Sequence, residues 1–253
     1  MIDAHLHLCD DLLFPEASQM IQEAASAHIE QFLCVVTNNL ELERAFELKK
    51  KFPSLKIAAS TTPHEALTKI DPFFEIVAKH AKNRSIDAIG ETGLEYFHKG
   101  LDKELQLEYL KRYVGLAVEL NLPLVFHCRE AFSDLFKVLE TFKKPLRGMI
   151  HCFTGNYQEA CRAIELGLHI SISGIVTFRN SHSLQTIVEK LPLSSILIET
   201  DSPFLAPLTQ RGKLNKPLFI KETYQKVADL KNISIQELER HTLYNFTNIF
   251  KLS

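Results

Sequence analysis

The 253 residues carry 29 Lys and Arg against 31 Asp and Glu, which gives a formal net charge of −2. This balance argues against a protein that coats long nucleic acid, because such proteins need clustered Lys and Arg. No stretch approaches the roughly 20 apolar residues of a transmembrane span, so we expect a cytoplasmic protein that does not cross a membrane. The sequence implies no obligate protein partner and leaves the oligomeric state open.

Short apolar runs alternate with longer amphipathic segments along the chain. Several of the runs, such as FLCVVT and PLVFH, are continuously apolar, which is typical of parallel strands covered by helices. The predicted strands are Met1–His7, Gln31–Thr37, Leu55–Ser60, Asp87–Glu91, Pro123–His127, Gly148–Cys152, His169–Ser173 and Ser195–Thr200.

The segments between these runs have the apolar spacing of helices. The clearest is Asp102–Leu120, where apolar residues recur every three or four positions and Asp102 is a candidate N-cap. The predicted helices are Pro15–His28, Leu40–Lys51, Asp102–Leu120, Phe132–Phe142, Tyr157–Leu166, Ser183–Leu191, Leu218–Leu230 and Ile235–Phe250. The alternation predicts an α/β fold, a (β/α)8 TIM-like barrel with residues 1–253 in a single domain. The longest irregular stretch, Asp201–Pro217, is predicted to carry function.

Residue types that bind metals stand at or directly after the C-terminal ends of several predicted strands. Each of them alone has a structural interpretation, but histidines on independent strands have no structural reason to share one register. The C-terminal strand ends of a βα barrel meet on the face that carries active sites, so we predict that these side chains converge. The six candidates are His5, His7, Glu91, His127, His151 and Asp201. The histidines predicted to lie outside the site are His28, His80, His98, His169, His182 and His241.

Four histidines and two carboxylates are too many for one tetrahedral zinc ion. They favour two divalent ions that share a carboxylate, activate a water and hold the attacking and leaving oxygens. Glu91 is placed to bridge the ions, and Asp201 is placed to bind metal and to accept the proton of the attacking water. The donor set accepts Zn, Mn, Mg, Ni or Co and leaves the metal identity open.

Six ordered segments resemble the TatD family of metal-dependent deoxyribonucleases, within the amidohydrolase-like barrels. They are DAHLHL from Asp3, IGETGLEY from Ile89, FHCRE from Phe126, HCFTG from His151, ETDSPFLAP from Glu199 and RGKLNKP from Arg211, and SGIVTFRN from Ser173 is also similar. The resemblance spans nearly the whole chain.

The resemblance implies a (β/α)8 barrel that cleaves DNA from ends or single strands. It also implies that His5, His7, Glu91 and Asp201 bind one metal, and that Glu91 is shared with a second metal held by His127 and His151. Glu91 and Asp201 would be the catalytic residues. Arg129 and Arg211 lie within matching segments, close to proposed ligands or loops, and are candidates to bind phosphate oxygens.

Two positions depart from the family pattern. The family has a histidine before the proline that follows the third strand, whereas this chain has Thr62 there and His64 after the proline. His64 is a substrate-binding candidate only if its side chain turns into the site. The family's Asp after GETGL is Glu95, which is one methylene longer. Both changes bear on substrate choice and rate more than on metal binding.

Two other functions stay open at this point. The altered segment Thr62–Pro63–His64 and the weak basicity also suit hydrolysis of a small amide, lactone or phosphoester. A barrel that binds metal without catalysis is the other alternative. We disfavour it because a decayed enzyme would be expected to lose ligands, and all six candidates are present.

Overall fold

The computed structural model describes residues 1–251, and in that range eight parallel strands form one sheet whose spatial order follows the chain. Each strand is hydrogen-bonded to the next. The strands are β1 Ile2–Leu6, β2 Gln31–Val36, β3 Leu55–Ala59, β4 Ala88–Glu95, β5 Leu124–Arg129, β6 Gly148–Ile150, β7 Leu168–Ile172 and β8 Ile196–Ile198. This arrangement confirms the predicted (β/α)8 TIM-like barrel.

Hydrogen bonds from the segment that follows β8 join the last strand to β1. The backbone N–H of Asp201 donates to the His5 carbonyl at 2.9 Å. The buried Asp3 carboxylate accepts from the N–H and the hydroxyl of Thr200 at 2.9 and 2.7 Å. Because Asp3 and His5 lie on the same strand, these bonds close the barrel beside two of the candidate ligands.

The helices cover the outside of the sheet. Within residues 1–251 they are α1 Ala17–Ser26, α2 Asn39–Lys51, α3 Pro72–Lys82, α4 Lys103–Leu120, α5 Phe132–Leu139, α6 Tyr157–Glu165, α7 His182–Lys190, α8 Ile220–Lys231 and α9 Ile235–Phe250. All but α3 overlap a predicted helix.

Helix α3 corrects the prediction, which placed no helix between the third and fourth strands. Its start carries a standard signal, because the Asp71 side chain accepts the N–H groups of Phe73 and Phe74, and Pro72 occupies the first helical position. Asp and Pro in these positions favour helix initiation.

The barrel interior is apolar at the end opposite the candidate ligands. Side chains of several strands form one buried cluster there with three residues of α9, Phe246, Ile249 and Phe250. The strand members include Ile2 and Leu33. A second, larger cluster fills the layer between the strands and the surrounding helices. Helix α9 therefore covers the N-terminal end of the interior and leaves the C-terminal end for polar groups.

The single-domain prediction for residues 1–253 stays a prediction, and its last two positions lie outside the described residues. In the described range, no helix has the length and apolar character that a bilayer crossing requires. The cytoplasmic location stays a prediction as well.

Candidate metal centre

Strand β1 and the segment after β8 bring a first group of candidate ligands together. His5 Nε2 lies 3.2 Å from His7 Nε2, 3.4 Å from Glu91 Oε2 and 3.6 Å from Asp201 Oδ1. His7 Nε2 lies 3.6 Å from the same two oxygens. Donor atoms about 2.0–2.1 Å from a tetrahedral zinc ion stand roughly 3.3–3.4 Å apart. The spacing of this group therefore fits one cation.

The other oxygen of Glu91 faces a second group of donors. Oε1 lies 2.9 Å from His127 Nδ1 and 2.8 Å from His151 Nε2, and these two nitrogens are 3.1 Å apart. One carboxylate thus contacts both groups, which is the geometry of a bridging ligand. The structure brings all six predicted candidates together, and their action as ligands stays a proposal.

The sequence analysis predicted that the fourth strand ends at Glu91, and this prediction is wrong. Strand β4 continues to Glu95 and pairs with β5 as far as Arg129, after a register shift between Ile89 and Thr92. Polar and glycine residues follow Ile89 in this part of the strand. These residues are nevertheless buried, because the neighbouring strands enclose them on both sides. Glu91 therefore reaches both ligand groups from within the barrel wall.

Two further glutamates lie behind the histidines of the second group. His127 Nε2 is 3.1 Å from Glu95 Oε2, and His151 Nδ1 is 3.6 Å from Glu199 Oε1. Glu199 Oε1 also accepts the N–H of Cys152 at 2.6 Å. Glu95 is within hydrogen-bond distance of His127, and a carboxylate in this position fixes the tautomer and orientation of a histidine that binds metal. Glu199 lies just beyond hydrogen-bond distance from His151. With its N–H directed at Glu95, His127 presents the Nδ1 lone pair to the centre.

The pKa values in this cluster are shifted by burial and by mutual charge. Burial raises the pKa of Glu91, but the charge of His151 and the hydrogen bond with His127 outweigh it and hold the pKa well below its usual range. Burial lowers the pKa of His7, but the hydrogen bond to Asp201 and the charge of Glu91 raise it to about 9. Burial and the charge of His151 lower the pKa of His5. In this centre an ionised Glu91 therefore faces a protonated His7, whereas His5 is neutral at pH 7.

The predicted substrate-binding residues are placed differently from one another. His64 and Arg129 line a cavity of about 590 Å³ together with His127, His151 and Asp201. His64 also lines a neighbouring cavity of about 390 Å³. Its side chain therefore turns into the site, as the prediction required.

Arg211 lies outside the group. Its side chain is exposed, and its guanidinium carbon stands 4.4 Å from the centre of the Phe178 ring. It is absent from the described residues that line the two cavities. The structure thus does not place Arg211 with the other candidates.

The sequence analysis missed two residues beside the centre. His98 was predicted to lie outside the site, yet its Nδ1 is 3.3 Å from Glu95 Oε2 and its side chain lines the larger cavity. Its position three residues after the end of β4 was the sequence feature that could have indicated a place near the site. Glu199 is fully buried and received no function, although it comes directly after β8 and two residues before Asp201.

The chain matches the family model of TatD-related DNases over residues 2–251. An uncharacterized metal-dependent hydrolase of Buchnera aphidicola subsp. Acyrthosiphon pisum is 32% identical over 262 aligned residues, which cover 100% of this chain and 99% of that protein. The 3'-5' ssDNA/RNA exonuclease TatD of Pantoea ananatis is 30% identical over 260 aligned residues, with 100% of both proteins covered.

Among solved structures, the crystal structure of YjjV, a TatD homologue from Escherichia coli K12, is similar with a TM-score of 0.94. The identity is 25%, and the match covers 100% of this chain and 98% of that one. The similarity therefore extends over the whole barrel.

Proposed function

The chain belongs to the family of TatD-related DNases and is a metal-dependent hydrolase, and from this premise we propose that it is a deoxyribonuclease with two divalent ions in its active site. The observation that carries the proposal is the shared carboxylate, whose two oxygens each face a separate group of nitrogen and oxygen donors. The family relation and the full set of donors favour this function over a metal-binding barrel without catalysis.

Six side chains would hold the ions. His5, His7 and Asp201 would bind one, His127 and His151 the other, and Glu91 both. When bound, a pair of divalent ions lowers the pKa of water and neutralises charge on a phosphate group. One oxygen of Glu91 faces each donor group, so this residue would hold both ions. The metal could be Zn, Mn, Mg, Ni or Co.

Asp201 is the proposed proton acceptor. The charges of its histidine neighbours keep its pKa below the usual value in spite of burial, the hydrogen bond with His7 contributing most. It is therefore ionised at neutral pH and can take a proton from the attacking water, a step for which a positioned base contributes about 10²–10⁴ in rate. It is buried and lines the larger cavity, so it would lie next to a substrate bound there.

Arg129 and two exposed aromatic rings are the proposed contacts for the nucleic acid. The guanidinium carbon of Arg129 lies 3.7 Å from the centre of the Phe97 ring, which is 49% exposed, and Arg129 also lines the larger cavity. Phe204 lines the same cavity and is 51% exposed. Arginine binds phosphate oxygens, and exposed rings stack on unpaired bases. These features support a single-stranded substrate or a strand end.

The test is nucleotide release from end-labelled single-stranded DNA, nicked duplex and RNA, with each divalent metal in turn. We expect metal-dependent release from single-stranded DNA, and a kcat lowered by about 10²–10⁴ in Asp201→Asn. Asp201 has a φ of 58°, and Asn tolerates this conformation, so the substitution preserves the backbone. Asp11→Asn, at an exposed residue paired with Arg44, is the matched control. The proposal is refuted if the metal-loaded wild type releases no nucleotides and Asp201→Asn behaves in the same way.

Hydrolysis of a small phosphoester, amide or lactone is the second candidate. One observation favours it, because the smaller cavity is lined by Asp10, Glu41 and Glu65. These carboxylates repel a polyanion on that side of the centre. Turnover of small esters without any cleavage of DNA or RNA in the same screen would select this function.

A further inference from the structure

We infer that His64, Glu95 and His98 form a third divalent-cation site, separate from the six residues of the proposed two-metal centre. The three residues come from two parts of the chain. His64 lies in the turn after β3, Glu95 is the last residue of β4, and His98 is in the loop that follows. Glu95 and the segment with His64 are also the two positions where the sequence departs from the family pattern.

One oxygen of Glu95 is the centre of this arrangement. Oε2 lies 3.5 Å from His64 Nε2 and 3.3 Å from His98 Nδ1. These distances match the roughly 3.3–3.4 Å that separate two donors on a tetrahedral zinc ion. All three donor atoms lie within 4.8 Å of one another, so a small rotation of the exposed imidazoles completes the set.

The backbone holds Glu95 ready for this function. Its Oε1 accepts the N–H groups of Phe97 and His98 at 2.7 and 3.1 Å, and the side chain is fully buried. Oε2 is therefore directed at the imidazoles. His127 already supplies it with a donor at 3.1 Å, so the carboxylate does not need His64 or His98 to satisfy its hydrogen bonds. An oxygen with two lone pairs can accept one N–H and also bind a cation.

The position of His64 is fixed by its turn. Pro63–Glu65 is a short 3-10 helix with a capping box between Thr62 and Glu65. The side chains of His64 and His98 are 43% and 52% exposed, and their rings lie edge to face with centroids 5.5 Å apart. Two exposed imidazoles against one buried carboxylate oxygen suit a cation that enters from the solvent and keeps water on its free positions.

The donor chemistry indicates the class of ion. Two imidazole nitrogens and one carboxylate oxygen with an open fourth position are the ligands of catalytic zinc sites, and Co and Ni accept the same set. His64 and His98 line the cavity that also contains His127 and Asp201. An ion held there would offer its open position to a phosphate oxygen. This last function rests on the proposed nuclease activity, whereas the binding of the ion does not.

The test is metal content after equilibrium dialysis against micromolar zinc, measured per folded chain. We expect about three zinc ions in the wild type and about two in His98→Asn and in His64→Asn. His28→Asn is the matched control and should keep about three. His28 is exposed, lies before β2 at the other end of the barrel and has a φ of 65°, which Asn tolerates.

Variants that lack the Glu91 carboxylate distinguish zinc bound at this third site from zinc bound at the two-metal centre. Glu91→Ala and the double variant Glu91→Ala/His98→Asn should differ by about one zinc ion. This difference would persist even if the chain cleaved no nucleic acid. Equal zinc content in the wild type and His98→Asn, or no difference within the Glu91→Ala pair, would overturn the inference. Circular dichroism of each variant checks that the barrel is folded.

Discussion

Glu199 is a buried carboxylate whose position predicts an effect on metal binding. It faces His151 Nδ1 at 3.6 Å, and His151 Nε2 contacts Glu91. We predict that Glu199→Gln weakens binding of the second metal by about 10–100-fold, since a residue that orients a metal-binding histidine typically has this effect. The measurement is calorimetric titration of metal-free protein with Mn or Zn.

Thermal unfolding of the metal-free proteins shows whether Glu199 acts on metal binding or only stabilises the fold. Glu165→Gln, at an exposed residue paired with Arg162, is the control and should titrate like the wild type. If Glu199→Gln lowers the melting temperature but leaves the metal affinity unchanged, Glu199 supports the fold alone.

At this scale, the sequence predicted which candidate residues the fold brings together. The six candidates could be found because strand ends of a βα barrel meet on one face, even though Glu91 lies within β4 rather than at its end. His98 could not, because its approach to Glu95 depends on the course of the loop after β4. The position of Glu199 beside His151 could not be predicted either, because this contact joins two segments that are distant in sequence.

Strand β4 depends on a glycine where it passes β5. Gly93 has a φ of +151° and pairs with His127, and a Cβ there would collide with the His127 carbonyl oxygen. We predict that Gly93→Ala lowers the free energy of unfolding by about 2 kcal/mol or more, from backbone strain and the displacement of β5. Metal affinity should fall in the same variant, because His127 moves with its strand. Chemical denaturation and metal titration measure the two effects.

Gly115→Ala in α4 is the matched control for this substitution. Nothing lies within 4 Å of the added Cβ, and Ala is favoured over Gly inside a helix. The change should raise stability by up to about 1 kcal/mol. If both variants are equally stable and bind metal equally well, the close approach of β4 and β5 does not position the centre.

The types and order of the elements were predictable, whereas their ends were not. Continuous apolar runs identified the strands, but β4 extends through Gly93 to Glu95 because closure of the barrel buries residues that look like a turn. Helix α3 was missed although Asp71 and Pro72 carry its start signal. The spacing of apolar residues therefore predicted the fold, whereas the ends of the elements depend on burial by neighbouring strands and helices.

The molecule as a whole has an apolar end covered by α9 and a polar end with the candidate ligands. A cation that binds only the folded barrel should stabilise it by about 2.7 kcal/mol at a concentration 100 times its Kd. For a chain of this size, that raises the melting temperature by roughly 5–10 °C. Chelation should reverse the gain. Glu91→Ala, which lacks the shared carboxylate, should gain less.

The size of this metal effect should depend on pH, because the ions must displace protons. In the metal-free protein, Asp201 and Glu91 outweigh burial and raise the pKa of His7 from 6.5 to about 9, and Glu91 raises that of His151 in the same way. Protonation of His7 stabilises the metal-free fold fully below about pH 6.5, and this contribution is lost as the pH rises through about 9. Metal binding has the opposite dependence, since only neutral histidine is a ligand.

The gain in melting temperature with Mn should therefore be larger at pH 8 than at pH 6. Titrations in buffers of different ionisation enthalpy should detect released protons. An equal gain at both pH values, with no proton release, would show that the histidines of this cluster are not the metal ligands.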